Sequence, residues 1–190
     1  ARAETVAKEF GGRPCPDATA ILDEIQAATI AVPTVKHLEV ARPFLERRIP
    51  LLIEKPFAPT VEQAHELLAL AKRHRTLVAV GHVERFNPVV RALERMQVVP
   101  KFIETHRISP FTFRSADVGV VFDMMIHDID IMLSLVRADI VNINAMGRCI
   151  RSDHEDVASA QIEFSNGTMA HILVSRVSER RMRQLEIMEP

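Results

Sequence analysis

Pro50-Leu51-Leu52-Ile53-Glu54-Lys55-Pro56 reads as a short apolar strand closed by a carboxylate, an ammonium group and a proline. Three aliphatic residues between breakers fit a strand buried on both faces of a parallel sheet. Open α/β sheets place ligands outside the carboxyl ends of their strands, which is where Lys55 falls. The neighbouring segments repeat the pattern. Residues 28–32 are a second apolar run, stopped by Pro33, and residues 77–80 a third, ended by Gly81. Four helices are predicted around them. One spans 1–10 and ends at Gly11-Gly12; one spans 18–26 behind an Asp17 cap. A third spans 35–48, capped by Thr34 and kinked at Pro43; the last runs to His74 from a Thr60/Gln63 capping box. Strands alternating with helices imply a parallel sheet with right-handed crossovers.

After residue 81 the rhythm changes. Asn87 followed by Pro88 opens a helix to Met96. Residues 101–108 read as strand, 109–118 as loop, 120–136 as helix and 141–149 as strand. Residues 156–165 and 168–177 flank Asn166-Gly167, a strong hairpin signal, and 182–188 begins a further strand. A two-residue turn at that point pairs Phe164 with Met169, Ile162 with His171 and Ala160 with Leu173 on an apolar face turned toward the helices. The opposite face then pairs Glu163 with Ala170, Gln161 with Ile172 and Ser159 with Val174. A face half polar and half apolar suits a subunit interface, so a homo-oligomer joined through this sheet is expected. The fold class is α/β plus α+β, with a parallel sheet over 1–81 and an α+β domain with a largely antiparallel sheet over 82–190.

Composition narrows the function. A net charge of −1 over 190 residues gives no electrostatic reason to expect nucleic acid or an anionic membrane as partner. No apolar stretch approaches the roughly 18 residues of a spanning helix. Only Cys15 and Cys149 occur, which argues against a disulfide framework and fits a reducing cytoplasm. Without Tyr or Trp, a tyrosine acid or base is excluded within these residues, and aromatic platforms for bases are limited to Phe.

The second chemical feature is Asp123 and His127, four residues apart on a predicted helix. This spacing gives either an ordinary helix pair or a carboxylate and imidazole serving proton transfer. With Asp130 on part of the same face, the set also resembles a metal site for a lyase or hydrolase, but no Cys or second nearby His completes it, and no metal is expected. Asp128 and Asp130 read as solvent or substrate contacts; Met124, Met125 and Met132 read as core.

In order, the segments "IAVPTVKH" (30–37), "LLIEKP" (51–56), "GHVERFNP" (81–88) and "DMMIHDID" (123–130) resemble the Gfo/Idh/MocA family of NAD(P)-dependent sugar and nucleotide-sugar dehydrogenases. The resemblance implies a partial Rossmann sheet in the first half and NAD or NADP as cofactor. It implies cofactor contacts from Pro33, His37, Glu54, Lys55 and Pro56, with Lys55-Pro56 a cis candidate. It assigns catalysis to Lys55, Asp123 and His127, with His127 as acid/base, and substrate contacts to Arg85, Asn87, Asp123 and His127. That chemistry is consistent in itself: a secondary alcohol loses a hydride to a nicotinamide and a proton to a base, and a lysine stabilises the developing alkoxide. The stretch 81–88 is similar to members acting on nucleotide sugars, the UDP-N-acetylglucosamine 3-dehydrogenases among them. Arg85, Arg107 and Arg114 are candidates for a diphosphate or carboxylate.

The departure from the family is an absence. None of the six glycines forms the G-x-G-x-x-G that cradles pyrophosphate. The expected reading is a fragment lacking its first strands and phosphate loop, with an incomplete second domain, weak or no dinucleotide binding and no turnover. The competing reading is a non-catalytic dimerisation or interaction remnant.

Overall fold

The computed structural model describes residues 2–112 and 118–190, and the chain divides into two compact units, Ala1–Gly81 and His82–Pro190. In the first, a parallel sheet of β1 (Ala28–Ile30), β2 (Leu51–Ile53) and β3 (Val78–Val80) runs in that order, with α1 (Arg2–Phe10) ahead of it. Helices α2 (His37–Glu46) and α3 (Val61–His74) connect the strands. Ile30, Leu51 and Ile53 pack on Ala41, Phe44 and Leu45 of α2 and on Leu67, Leu70 and Ala71 of α3. The intervening Thr29, Leu52 and Ala79 are exposed, so this sheet is covered on one face among the described residues, not two as its apolar runs suggest.

Three local expectations change. The helix expected over 18–26 is a single 3-10 turn, Ala18–Ile21, although Asp17 does cap it by accepting from the Thr19 N–H at 2.9 Å. It buries no residue, and a short helix without an apolar face to pack gains too little to propagate. Thr34 does not cap: Thr34–Lys36 is a 3-10 turn and α2 begins at His37. Pro43 lies inside α2 without ending it. Thr60 caps α3 as expected, accepting from the Gln63 N–H.

The second unit orders its strands β5-β6-β7-β4-β8, where β4 is Phe102–Ile108, β5 Ile140–Arg148, β6 Val157–Phe164, β7 Met169–Ser175 and β8 Met182–Met188. The neighbours are antiparallel except β4 and β7, which are parallel. Helices α4 (Pro88–Met96) and α5 (Ile126–Leu135) accompany the sheet. Alternating Ala158, Ala160, Ile162 and Phe164 of β6, Ala170, Ile172 and Val174 of β7, and Ile103 of β4 meet Met125, Met132 and Val136 in the core. Leu185 and Ile187 of β8 close against Val90, Ile131 and Leu135.

The hairpin register differs from expectation by one residue. Ala160 pairs with Ile172, Ile162 with Ala170 and Gln161 with His171. The turn is longer than two residues: the Phe164 N–H donates to the Thr168 carbonyl and the Gly167 N–H to the Phe164 carbonyl, with Gly167 at φ 81°. A three-residue loop ending in a left-handed glycine shifts the partner strand by one, and a one-residue shift exchanges its faces. The helix-facing side is thereby uniformly apolar. The open side carries Ser159, Gln161 and Glu163 of β6 beside Met169, His171 and Leu173 of β7.

Candidate functional site

The candidate residues fall on both units, and each set is built by its own unit. In the first, the Glu54 N–H donates to the Ile30 carbonyl at 2.9 Å and the Gly81 N–H to the Ile53 carbonyl at 2.7 Å. These bonds bring the carboxyl ends of all three strands level. A Cβ on Gly81 would stand 3.0 Å from Glu54 Oε2, so the bare backbone there gives room to the Glu54 carboxylate. Lys55-Pro56 is a cis peptide; Pro56 is buried, while Glu54 and Lys55 are partly exposed. Pro33 is exposed at the end of the β1 segment, its carbonyl closing the turn to the Lys36 N–H.

His37, expected as a cofactor contact, is buried. It is 1% exposed, with Nε2 3.0 Å from the Val32 carbonyl oxygen and Nδ1 3.2 Å from that of Phe57. A ring enclosed between two carbonyls links the segment after β1 to the segment after β2. It ties the segment that carries Pro33 to the one that carries Lys55.

In the second unit, Asp123 lies in a π-helical turn, Val121–Met125, that runs directly into α5, where His127 occupies the first turn. The expectation of one regular helix over 120–136 is corrected accordingly. π-turns interrupt helices frequently at functional sites. Glu155 holds the start of this one: its carbonyl accepts from the Val120 N–H at 2.9 Å and its Oε1 from the Val121 N–H at 3.2 Å. Gly119 makes this approach available, since a Cβ there would stand 1.9 Å from Glu155 Oε1. Asp123 and His127 are both partly buried.

The two other acids of the segment are buried and paired, which corrects their reading as solvent or substrate contacts. Asp128 receives Arg107 Nε and Nη2 at 2.9 and 2.8 Å. Asp130 receives Arg85 Nε and Nη2 at 2.8 and 2.9 Å. Paired forks of this kind satisfy both partners; burial pulls Arg107 down, but Asp128 and Glu84 together hold the guanidinium above its usual range. Asp130 is therefore engaged, which removes it from a metal set with Asp123 and His127. No group of three His, Cys, Asp or Glu comes together to hold a metal among the described residues. Asn87 caps α4, its Oδ1 accepting from the Val89 N–H at 3.0 Å. Arg114 lies outside the described residues.

Next to Glu155, Asp156 is fully buried. Its Oδ2 accepts from the N–H groups of Ile150, Arg151 and Ser152, and its Oδ1 from Arg176 Nε at 2.7 Å and the Ser152 hydroxyl. Burial alone would raise its pKa, but the Arg151 N–H, the Arg176 guanidinium and the Ile150 and Ser152 N–H groups hold it well below the usual carboxylate range.

Residues 1–82 match the model of an oxidoreductase family with an NAD-binding Rossmann fold, and residues 97–188 match the Gfo/Idh/MocA C-terminal domain. The chain belongs to the Gfo/Idh/MocA family. Among its relatives, UDP-N-acetylglucosamine 3-dehydrogenase of Acidithiobacillus ferrooxidans is 36% identical over 187 residues, covering 98% of this chain and 60% of that protein. The scyllo-inositol 2-dehydrogenase (NAD(+)) of Bacillus subtilis is 26% identical, covering 93% of this chain and 57% of its own length. The solved structure of UDP-N-acetylglucosamine 3-dehydrogenase GnnA from A. ferrooxidans superposes with a TM-score of 0.93 at 35% identity, over 99% of this chain and 63% of that one. The chain thus spans about three fifths of the length of these relatives.

Sequence reasoning missed Glu155 and Gly119 as supports of the Asp123 turn, and the arginine partners of Asp128 and Asp130. The residues of each pair lie 21 or more positions apart, and no local spacing signals them.

Proposed function

We propose that this chain is part of an NAD(P)-dependent dehydrogenase that oxidises a secondary hydroxyl of a nucleotide sugar. The observation that carries the reading is Lys55, set at the level carboxyl end of a parallel sheet in a Gfo/Idh/MocA chain. The strand ends fit the nicotinamide end of a dinucleotide: Gly81 leaves room for the Glu54 carboxylate as acceptor, Lys55 supplies an ammonium donor, and Pro33 and Pro56 shape the loops. Bound NAD(P) supplies the hydride acceptor. In this reading Lys55 Nζ donates to the substrate oxygen as negative charge develops, and the His127 imidazole takes the hydroxyl proton, with Asp123 beside it in the chain orienting substrate or ring. Arg85 contributes to substrate binding through Nη1, which its fork on Asp130 does not use, while Asn87 serves the helix cap.

The UDP-N-acetylglucosamine 3-dehydrogenase relative supports a nucleotide sugar over free inositol. The test is to assay an active protein containing this chain with UDP-N-acetylglucosamine, myo-inositol and scyllo-inositol, using NAD and NADP in turn. A kcat/KM preference for the UDP-sugar supports the reading; a preference for either inositol overturns the substrate assignment. We further propose that two copies meet through the open face of the β5–β8 sheet, in a cytoplasmic protein with no nucleic-acid or membrane partner. The mixed polarity of that face supports an interface, and no helix of the described residues is long and apolar enough to cross a membrane.

A further inference from the structure

On the open face of the second unit's sheet, four polar side chains form a continuous chain. Ser159 Oγ lies 3.0 Å from His171 Nε2; His171 Nδ1 lies 3.4 Å and His106 Nε2 3.2 Å from the same Glu104 Oε1. With both imidazoles neutral every contact is satisfied: Ser159 donates to His171, and each ring donates one N–H to the carboxylate. The three titratable groups are about one quarter to one third exposed. They sit in the middle of the face, framed by Phe102, Met169, Leu173 and Met188.

The remaining charged groups on this face are few. Glu186 of β8 lies opposite Glu104, Glu163 of β6 lies beside Met169, and Arg148 lies at the end of β5; Gln161 and Gln184 are the neutral neighbours of His171 and His106. Among the described residues, the strands of this face with neutral histidines therefore carry three carboxylates against one guanidinium. Two copies placed face to face would repel, and taking up protons on His106 and His171 would discharge them.

We propose that self-association through this face is proton-dependent, tightening from pH 8 to pH 6 as the Glu104–His106–His171 cluster takes up charge. The proposal rests on the sheet-face interface given under Proposed function. Imidazoles ordinarily change charge between pH 5 and 8. The hydrogen bonds from His106 and His171 also hold Glu104 below its usual range, keeping it ionised as the rings protonate. A second copy suits the face in area: five strands at about 4.8 Å spacing and seven residues at about 3.3 Å give roughly 550 Å² of flat surface. With side-chain relief this approaches the roughly 800 Å² per partner of a standard interface. The sign of the response also separates a second copy from a basic protein, which would bind more tightly at high pH.

The experiment is sedimentation equilibrium of the chain at pH 8.0, 7.0 and 6.0 at fixed ionic strength. It is repeated for the His106→Gln/His171→Gln double variant and for Glu104→Gln, with circular dichroism to confirm folding. The expected dissociation constant falls about tenfold from pH 8 to pH 6. The double variant shows no such change, and Glu104→Gln associates more tightly than the parent already at pH 8. A dimer of equal strength at all three values, or an unchanged profile in the folded double variant, overturns the proton dependence and leaves the interface standing. A monomer at every pH, or a dimer undisturbed by Leu173→Arg, overturns the interface itself.

Discussion

Lys55 and His127 carry different parts of the proposed chemistry, so their replacement is expected to show different kinetics. In an active protein containing this chain, Lys55→Met removes a donor to the developing alkoxide and should lower kcat by about 10²–10³, with little change in KM. His127→Gln removes the proton acceptor and should cost about 10²–10⁴ in kcat. Steady-state kinetics read both, and parental kcat in either variant would remove that residue from the reaction. Asp156 concerns stability. Asp156→Asn leaves Arg176 without its buried counter-charge and should destabilise the second unit by about 3–5 kcal/mol, measured by urea unfolding. The Asp156 pKa is depressed in the folded state, so its contribution is fully present above the ordinary carboxylate pKa of about 4 and is lost as pH falls below it. Wild-type stability should therefore drop steeply below pH 4, and the variant should show a shallower drop.

At the level of elements, two glycines have testable consequences. A side chain at Gly119 would collide with the Glu155 carboxylate, so Gly119→Ala should loosen the π-turn that carries Asp123 and lower the unit's melting temperature; combining it with Glu155→Ala should recover part of the loss. Gly167→Ala meets no steric neighbour but must adopt φ 81°, a strain costing about 1 kcal/mol. Calorimetry of both variants checks the pair. The same residues show what the sequence makes legible. Strands β2 and β3, the Thr60 and Asn87 caps and the largely antiparallel second sheet were readable because their signals are local: aliphatic runs, breakers and capping residues. The hairpin register was not, because Asn166-Gly167 is compatible with both a two-residue and a three-residue loop, and closure through Thr168 decides between them. For the candidate site, Lys55 was readable from its place after an apolar strand. The enclosure of His37 was not readable, because the Val32 and Phe57 carbonyls around it come together only when β1 and β2 pair.

Across the whole chain, none of the six glycines forms a G-x-G-x-x-G. Titration of this exact chain with NADH, followed by cofactor fluorescence, should show no saturable binding in the micromolar range; tight binding would overturn that expectation. The arrangement around Asp156 affects how the native chain meets a protease. One carboxylate oxygen collects three consecutive amides, from Ile150 to Ser152, and fixes a segment outside the strands. Trypsin must draw a substrate into an extended conformation to cut it. Of the many basic residues along the chain, Arg151 should thus be among the last cleaved under native conditions, and its scission should report the opening of the second unit rather than the motion of a surface loop.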